Sequence, residues 1–245
     1  MGVAYGNNTR VINSTDAGRI VASTRMVVQD GLVLNLDAGA STSYPGIGTA
    51  WTDLSGNGNT GTLENGVGFD SGNGGSLSFD GSNEYISFNN NLTTSSLGLT
   101  SSSGATLSCW LKITLRSTWT GVFVFWKTNV GADFGWDITG SNNLRIWKNG
   151  IAQTISSLSS YSNLWSNYVL VSNSSGTIFY INGNQFDTTF LSGNIQSYGG
   201  RNLMFGDHWD SPIQGNTSSI SIYNRALTAT EIQQNFNALR GRFGI

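Results

Sequence analysis

The chain has 245 residues, a formal net charge of −2 and only 11% charged side chains, against 38% hydrophobic and 11% aromatic. This balance excludes the basic surface that a nucleic-acid binder needs, and no run of 18 apolar residues offers a membrane-spanning helix. A single cysteine, Cys109, excludes an intrachain disulfide, and a single histidine, His208, leaves too few ligands for a zinc centre.

Residues 1–30 are polar and weakly patterned, with Arg10, Arg19 and Arg25 set against Asp16 and Asp30. TRMVVQ is the one stretch here with the composition of a short strand. The segment reads as an extended N-terminal arm that anchors on neighbouring subunits, its three arginines acting as carboxylate forks. The plain alternative is a leader without fixed structure. The start shows no charge followed by a long apolar core, so synthesis without export is expected.

From Gly31 to the end, residues 31–245 read as one all-β domain. GLVLNLDA (31–38) alternates as a strand, and SLSFDGSNEYISF (76–88) as two strands about a DGSN turn. ATLSCWLKITL (105–115), GVFVFWK (121–127), LRIWKNG (144–150), NYVLVSN (167–173) and TIFYINGNQFDTT (177–189) continue the series. Asn149-Gly150 and Asn182-Gly183 are hairpin signals, because both central positions need positive φ. Ile220 and Ile222 then run into a short helix. Thr228 and Glu231 form its capping box, and Ile232, Phe236 and Leu239 share one face. Many short strands closed by one amphipathic helix predict a sandwich, with Cys109, Trp110, Trp126, Trp147 and Trp165 buried.

Three clusters carry candidate binding chemistry. WTDLSGNGNT places Asp53, Ser55, Asn57 and Asn59 at alternate positions around two glycines. The first reading is a chain of Asx turns; a calcium ion, which favours flexible oxygen-rich loops, is the alternative. LMFGDHWDSP sets Trp209 among Asp207, His208 and Asp210, suitable chemistry for stacking a sugar while carboxylates take its hydroxyls. Trp119, at the expected hairpin tip RSTWTG, is a second surface aromatic for a glycan. Beyond these, Arg240 and Arg242 give the C-terminal tail a local positive bias.

No catalytic residue is expected. The three glutamates, Glu64, Glu84 and Glu231, form no paired-acid strand, and Asp133 and Asp137 of DFGWD lie roughly 13 Å apart along a strand.

The ordered segments GLVLNLDAG, WTDLSGNGNTGTL, GGSLSFDGSNEYISF, LWSNYVLVSNSSGTIFYINGN and ISIYNRALTATEI resemble the laminin-G-like, concanavalin A-like lectin/glucanase jelly rolls, in particular those of bacteriophage virion proteins. The resemblance spans about residues 31–240 and implies a two-sheet antiparallel jelly-roll sandwich. Ser218 and Ser219 stand where this family usually carries an acid. It further implies a non-enzymatic virion protein on the outer surface of the particle, most specifically a capsid decoration protein with host-glycan adhesion. Its expected partners are other virion proteins, foremost the major capsid protein, together with host-surface glycans and identical copies; nucleic acid and membrane insertion are not expected. A tail-fibre or baseplate receptor-binding subunit and a free carbohydrate-binding module are the alternatives.

Overall fold

The computed structural model describes residues 26–88, 92–127, 131–206 and 212–245. Among these, strands run in chain order as β1 (Leu32–Asp37), β2 (Ala50–Trp51), β3 (Gly61–Glu64), β4 (Gly68–Asp70), β5 (Ser76–Asp80), β6 (Tyr85–Phe88), β7 (Ala105–Ile113) and β8 (Thr120–Lys127). There follow β9 (Gly131–Ile138), β10 (Asn143–Lys148), β11 (Ile151–Ser157), β12 (Trp165–Asn173), β13 (Gly176–Ile181), β14 (Asn184–Thr189), β15 (Asn202–Phe205), β16 (Gln214–Tyr223) and helix α1 (Ala229–Leu239).

The strands form two antiparallel sheets in a jelly-roll-like sandwich. The first has the order β14-β13-β12-β7-β16-β5-β4, with β1 also paired to β16. The second has the order β11-β10-β9-β8-β15-β6-β3-β2. Alternation decides which residues meet between them. Leu107, Cys109 and Leu111 of β7 join Phe134 and Trp136 of β9, Ile146 of β10 and Tyr168 and Leu170 of β12 in one continuous core. The two asparagine-glycine hairpins are present: Asn149 and Gly150 have φ of 57° and 76°, and Asn182 and Gly183 have 52° and 78°.

The DGSN turn differs from a simple hairpin. Strands β5 and β6 do not pair; β5 lies in the first sheet and β6 in the second, so the turn crosses the sandwich. TRMVVQ also departs from its expected strand over its described residues, because its partners are side chains of α1 and of the last residue of β16. Met26 O accepts from Gln234, Val28 N donates to Asn235 Oδ1, and Val28 O accepts from Tyr223.

Helix α1 closes the outer face of the first sheet. Thr228 and Glu231 make the reciprocal capping box, and Ile232 packs on Val169, Val171, Tyr180 and Tyr223. Trp110 is buried under this clasp and outside the inter-sheet core. It stacks on Phe236 at 5.7 Å and Phe243 at 4.2 Å, and half-buried Trp165 leans on Phe243. Arg242 is no free cation: it pairs with Asp37 at 2.8 Å and donates to Ser218 Oγ at 2.7 Å. The tail's expected positive bias is therefore spent within the fold at this position, in the corner that Ser218 lines.

Lys148 sits at the end of the inward face of β10. Its ammonium reaches across the sandwich to the carbonyls of Asn173 (2.8 Å) and Leu191 (2.9 Å). Burial, with no carboxylate partner among the described residues, pulls its pKa down to about 8. No helix among the described residues is long and apolar enough to cross a membrane.

Candidate functional site

The outer face of the second sheet carries the densest polar and aromatic chemistry. On β9, Phe134, Trp136 and Ile138 point into the core, so Asp133, Gly135 and Asp137 point outward. Gly135 is required: its φ is 140°, and an added Cβ would lie 2.3 Å from Phe123 O. Here β8 crowds β9 at a register shift between Gly121 and Phe123.

Register places Arg145 of β10 directly opposite Asp137. Arg145 Nε donates to Oδ1 at 2.8 Å and Nη2 to Oδ2 at 2.6 Å, a bidentate pair. Trp147, two residues on and therefore on the same face, donates its indole N–H to Asp137 Oδ2 at 2.7 Å. The guanidinium is held between two rings, 4.0 Å from the centroid of Trp119 and 4.5 Å from that of Trp147. A parallel unit surrounds Asp133. Arg201 Nη1 donates to it at 2.6 Å, Thr94 Oγ1 at 3.3 Å, and the Arg201 guanidinium lies 4.7 Å over the ring of Tyr198.

Both carboxylates are fully buried, each with an arginine of its own. Such pairs are retained by geometry, because losing one partner strands the other charge out of water. What reaches solvent is aromatic: Trp119 is 43% exposed and Tyr198 54%. Between and beneath them, Val124, Trp126, Ala132 and Trp147 form a separate small cluster. Trp126 and Trp147 are thus buried, as their alternating strands imply, but on the outward face.

The structure brings Trp119 into this array. Asp207, His208, Trp209 and Asp210 lie outside the described residues, as do Arg10, Arg19 and Arg25. The described flanks of the first group are fixed beside β8: Gly206 N donates to Val122 O at 3.0 Å and Ile213 N to Gly206 O at 2.6 Å.

The Asp53 loop is elsewhere. Asp53 Oδ1 accepts from the backbone N–H of Asn35 and Ser55, both at 2.9 Å. Oδ2 accepts from Ser55 Oγ at 2.7 Å and Asn59 N at 3.0 Å. The carboxylate is committed to holding its own loop, and Asn57 and Asn59 spend their amide nitrogens on the carbonyls of Leu32 and Val33. This is a poor fit to a calcium cage, in which the carboxylate must face the ion.

A family model described as the concanavalin A-like lectin/glucanases superfamily matches residues 79–233, more than half of the chain. The chain belongs to that superfamily. No curated relative matches it in sequence. This superfamily member resembles the Trypanosoma rangeli sialidase solved with the inhibitor DANA, with a TM-score of 0.65 and 15% identity over 86% of this chain and 33% of that one. It also resembles the receptor binding domain of botulinum neurotoxin C/D mosaic serotype, with a TM-score of 0.66, 18% identity, and coverage of 85% and 51%. A third likeness is to the binding domain of botulinum neurotoxin DC in complex with SialylT, at 0.63, 17%, 86% and 52%. The chain spans a third to about half of these structures, and at such identities the likeness is one of fold.

These likenesses correct one expectation. The absence of a paired-acid strand suggests a protein without catalysis, yet the same sandwich occurs within sialidase chains. The fold therefore does not separate a binding module from part of an enzyme.

Sequence reasoning missed Arg145, Arg201 and Tyr198. Arg145 and Trp147 share a face by simple alternation in LRIWK, as Asp133 and Asp137 do in DFGWD, so half of the array was available from period two. Arg201 and Asp133 are 68 residues apart, and no local pattern joins them.

Proposed function

We propose that this chain is a recognition module on the outer surface of a bacteriophage virion, a capsid decoration protein whose open sheet engages host-surface glycans. The observation that carries the glycan part is the solvent-facing indole of Trp119, braced from behind by Arg145. A fixed aromatic plane suits the C–H face of a sugar, because little side-chain entropy remains to be lost on binding. Known proteins of the same fold include a neurotoxin binding domain solved with SialylT, which supports this direction. The virion part rests on the ordered motifs that resemble phage jelly rolls. Its expected partners are the major capsid protein and identical copies, and the N-terminal arginines are its proposed anchors.

The test has two arms. Wild-type protein on a glycan array should retain at least one glycan family, and Trp119→Ala should lose most of that signal. Labelled protein mixed with phage particles should decorate heads and leave tails bare. Array binding unchanged by Trp119→Ala would overturn the first part, and label confined to tails would overturn the second. Tail labelling would favour the second reading, a receptor-binding subunit of fibre or baseplate, which the likeness to a toxin receptor binding domain supports.

A further inference from the structure

A concavity lies at the far end of the sandwich from Trp119. Trp119 follows the C-terminal end of β7, whereas Asn224 follows Tyr223, which pairs with Thr106 at the start of that strand. There a pocket of about 360 Å³ opens between Val33 of β1, the loop carrying Asn57 and Asn59, the turn at Ser96 and Leu97, and Asn224. This volume is at the small end of the range for ligand sites, enough for one sugar ring.

Among the described residues the lining contains no charged side chain. Two of its three amides are nonetheless fixed. Asn59 Nδ2 donates to Val33 O at 2.7 Å, and Asn57 Nδ2 to Ser55 Oγ at 2.9 Å. Spending the nitrogens this way settles which end of each amide is free, and both Oδ1 atoms remain without a partner among the described residues. Asn224 is anchored by its backbone N–H to Gly31 O at 2.8 Å, while its side-chain amide makes no hydrogen bond among the described residues. The lining therefore carries two amide oxygens without an intramolecular donor, one uncommitted amide with both donor and acceptor, and the aliphatic side chains of Val33 and Leu97.

We infer that this asparagine-lined pocket is a binding site for an uncharged, polyhydroxylated ligand, a neutral saccharide residue. Sugar hydroxyls both donate and accept, which matches paired amide acceptors and a free carboxamide. An anion brings acceptors only and would face the two amide oxygens with no cation to offset them. A divalent cation would find neutral carbonyls but no carboxylate, since Asp53 is held by its loop. The site is separate from Trp119, so it adds to the proposed glycan recognition and does not depend on where on a virion the protein sits.

The experiment is a heteronuclear NMR titration of the whole chain with glucose, galactose, mannose and N-acetylglucosamine, and in parallel with N-acetylneuraminic acid and with calcium. The expected result is that at least one neutral sugar shifts the backbone amides of Leu97, Gly98 and Asn224. Asn224→Leu, which removes the amide and fills the space, should weaken that binding at least tenfold. Trp119→Ala should leave it unchanged, which distinguishes this site from the one on the open sheet. Asn57→Ala is the second variant, and the spectrum itself reports whether either variant is folded. No shift with any neutral sugar up to tens of millimolar would overturn the inference. So would a response confined to neuraminic acid or calcium, or wild-type binding in both variants.

Discussion

Replacing Glu231 by glutamine removes one charge from the node that seals α1 onto the first sheet. The carboxylate accepts from Arg225 Nη1 at 3.0 Å and Nη2 at 2.6 Å, and from Thr228 N and Oγ1 at 2.9 and 3.0 Å. The Arg225 guanidinium is the main cause, with the Thr228 donors adding to it, of a pKa drawn from 4.5 to about 2. At about 1.36 kcal/mol per pH unit, this sets a ceiling of roughly 3.4 kcal/mol. The side chain is 26% exposed, and solvent screening brings the expected contribution to about 2 kcal/mol. A folded-state pKa below the unfolded one means stability present above pH 4.5 and lost as pH falls toward 2. Urea unfolding should therefore place Glu231→Gln about 2 kcal/mol below wild type at pH 7, with the gap narrowing steadily below pH 4.5. Because other acids titrate equally in both proteins, the difference isolates this group. A gap that is absent at pH 7, or that persists unchanged at pH 2.5, would refute the reasoning.

Three further outcomes are expected. Gly135→Ala should destabilise by 3 kcal/mol or more on the order-of-magnitude scale for backbone clash, because its Cβ has no free volume beside Phe123 O and Val124 Cα; chemical denaturation checks this. Asp137→Ala should cost about 3–5 kcal/mol by leaving Arg145 charged and unpaired, and the double replacement Asp137→Leu with Arg145→Met should recover most of it in the same assay. Lys148 has a depressed pKa, so the unfolded chain holds the extra proton between about pH 8 and 10.5 and stability should rise with pH across that window. The slope should be at most about 1.4 kcal/mol per pH unit, and Lys148→Met should flatten it in thermal melts.

What the sequence made visible was local. The asparagine-glycine turns, the capping box and the alternation of β7, β10 and β12 each express a rule that operates within ten residues, and each is realised. The two-residue strand β2 is too short to show a period. The crossing from β5 to β6 was hidden for a different reason: DGSN has the chemistry of a tight turn, and turn chemistry does not say whether the next strand pairs with the last. Met26–Asp30 has strand composition but takes its hydrogen bonds from Asn235, Gln234 and Tyr223, some two hundred residues away. Of the sugar-site candidates, Trp119 was legible as a surface loop aromatic, but its loop is no hairpin: it joins β7 of the first sheet to β8 of the second, and its brace, Arg145, comes from a strand two places along that second sheet. The asparagine pocket unites β1, two loops and the residue after β16, so no single stretch of sequence could announce it.

Met26 and α1 are bound together on the flank covered by the clasp, and the chain's last residues fold back on that same flank through Phe243 and Arg242. The first and the last described segments thus lie on one side. A hold on either of these two segments, whether by a sensor chip or a larger particle, would grip the molecule by its back and orient the braced indole of Trp119 toward the medium.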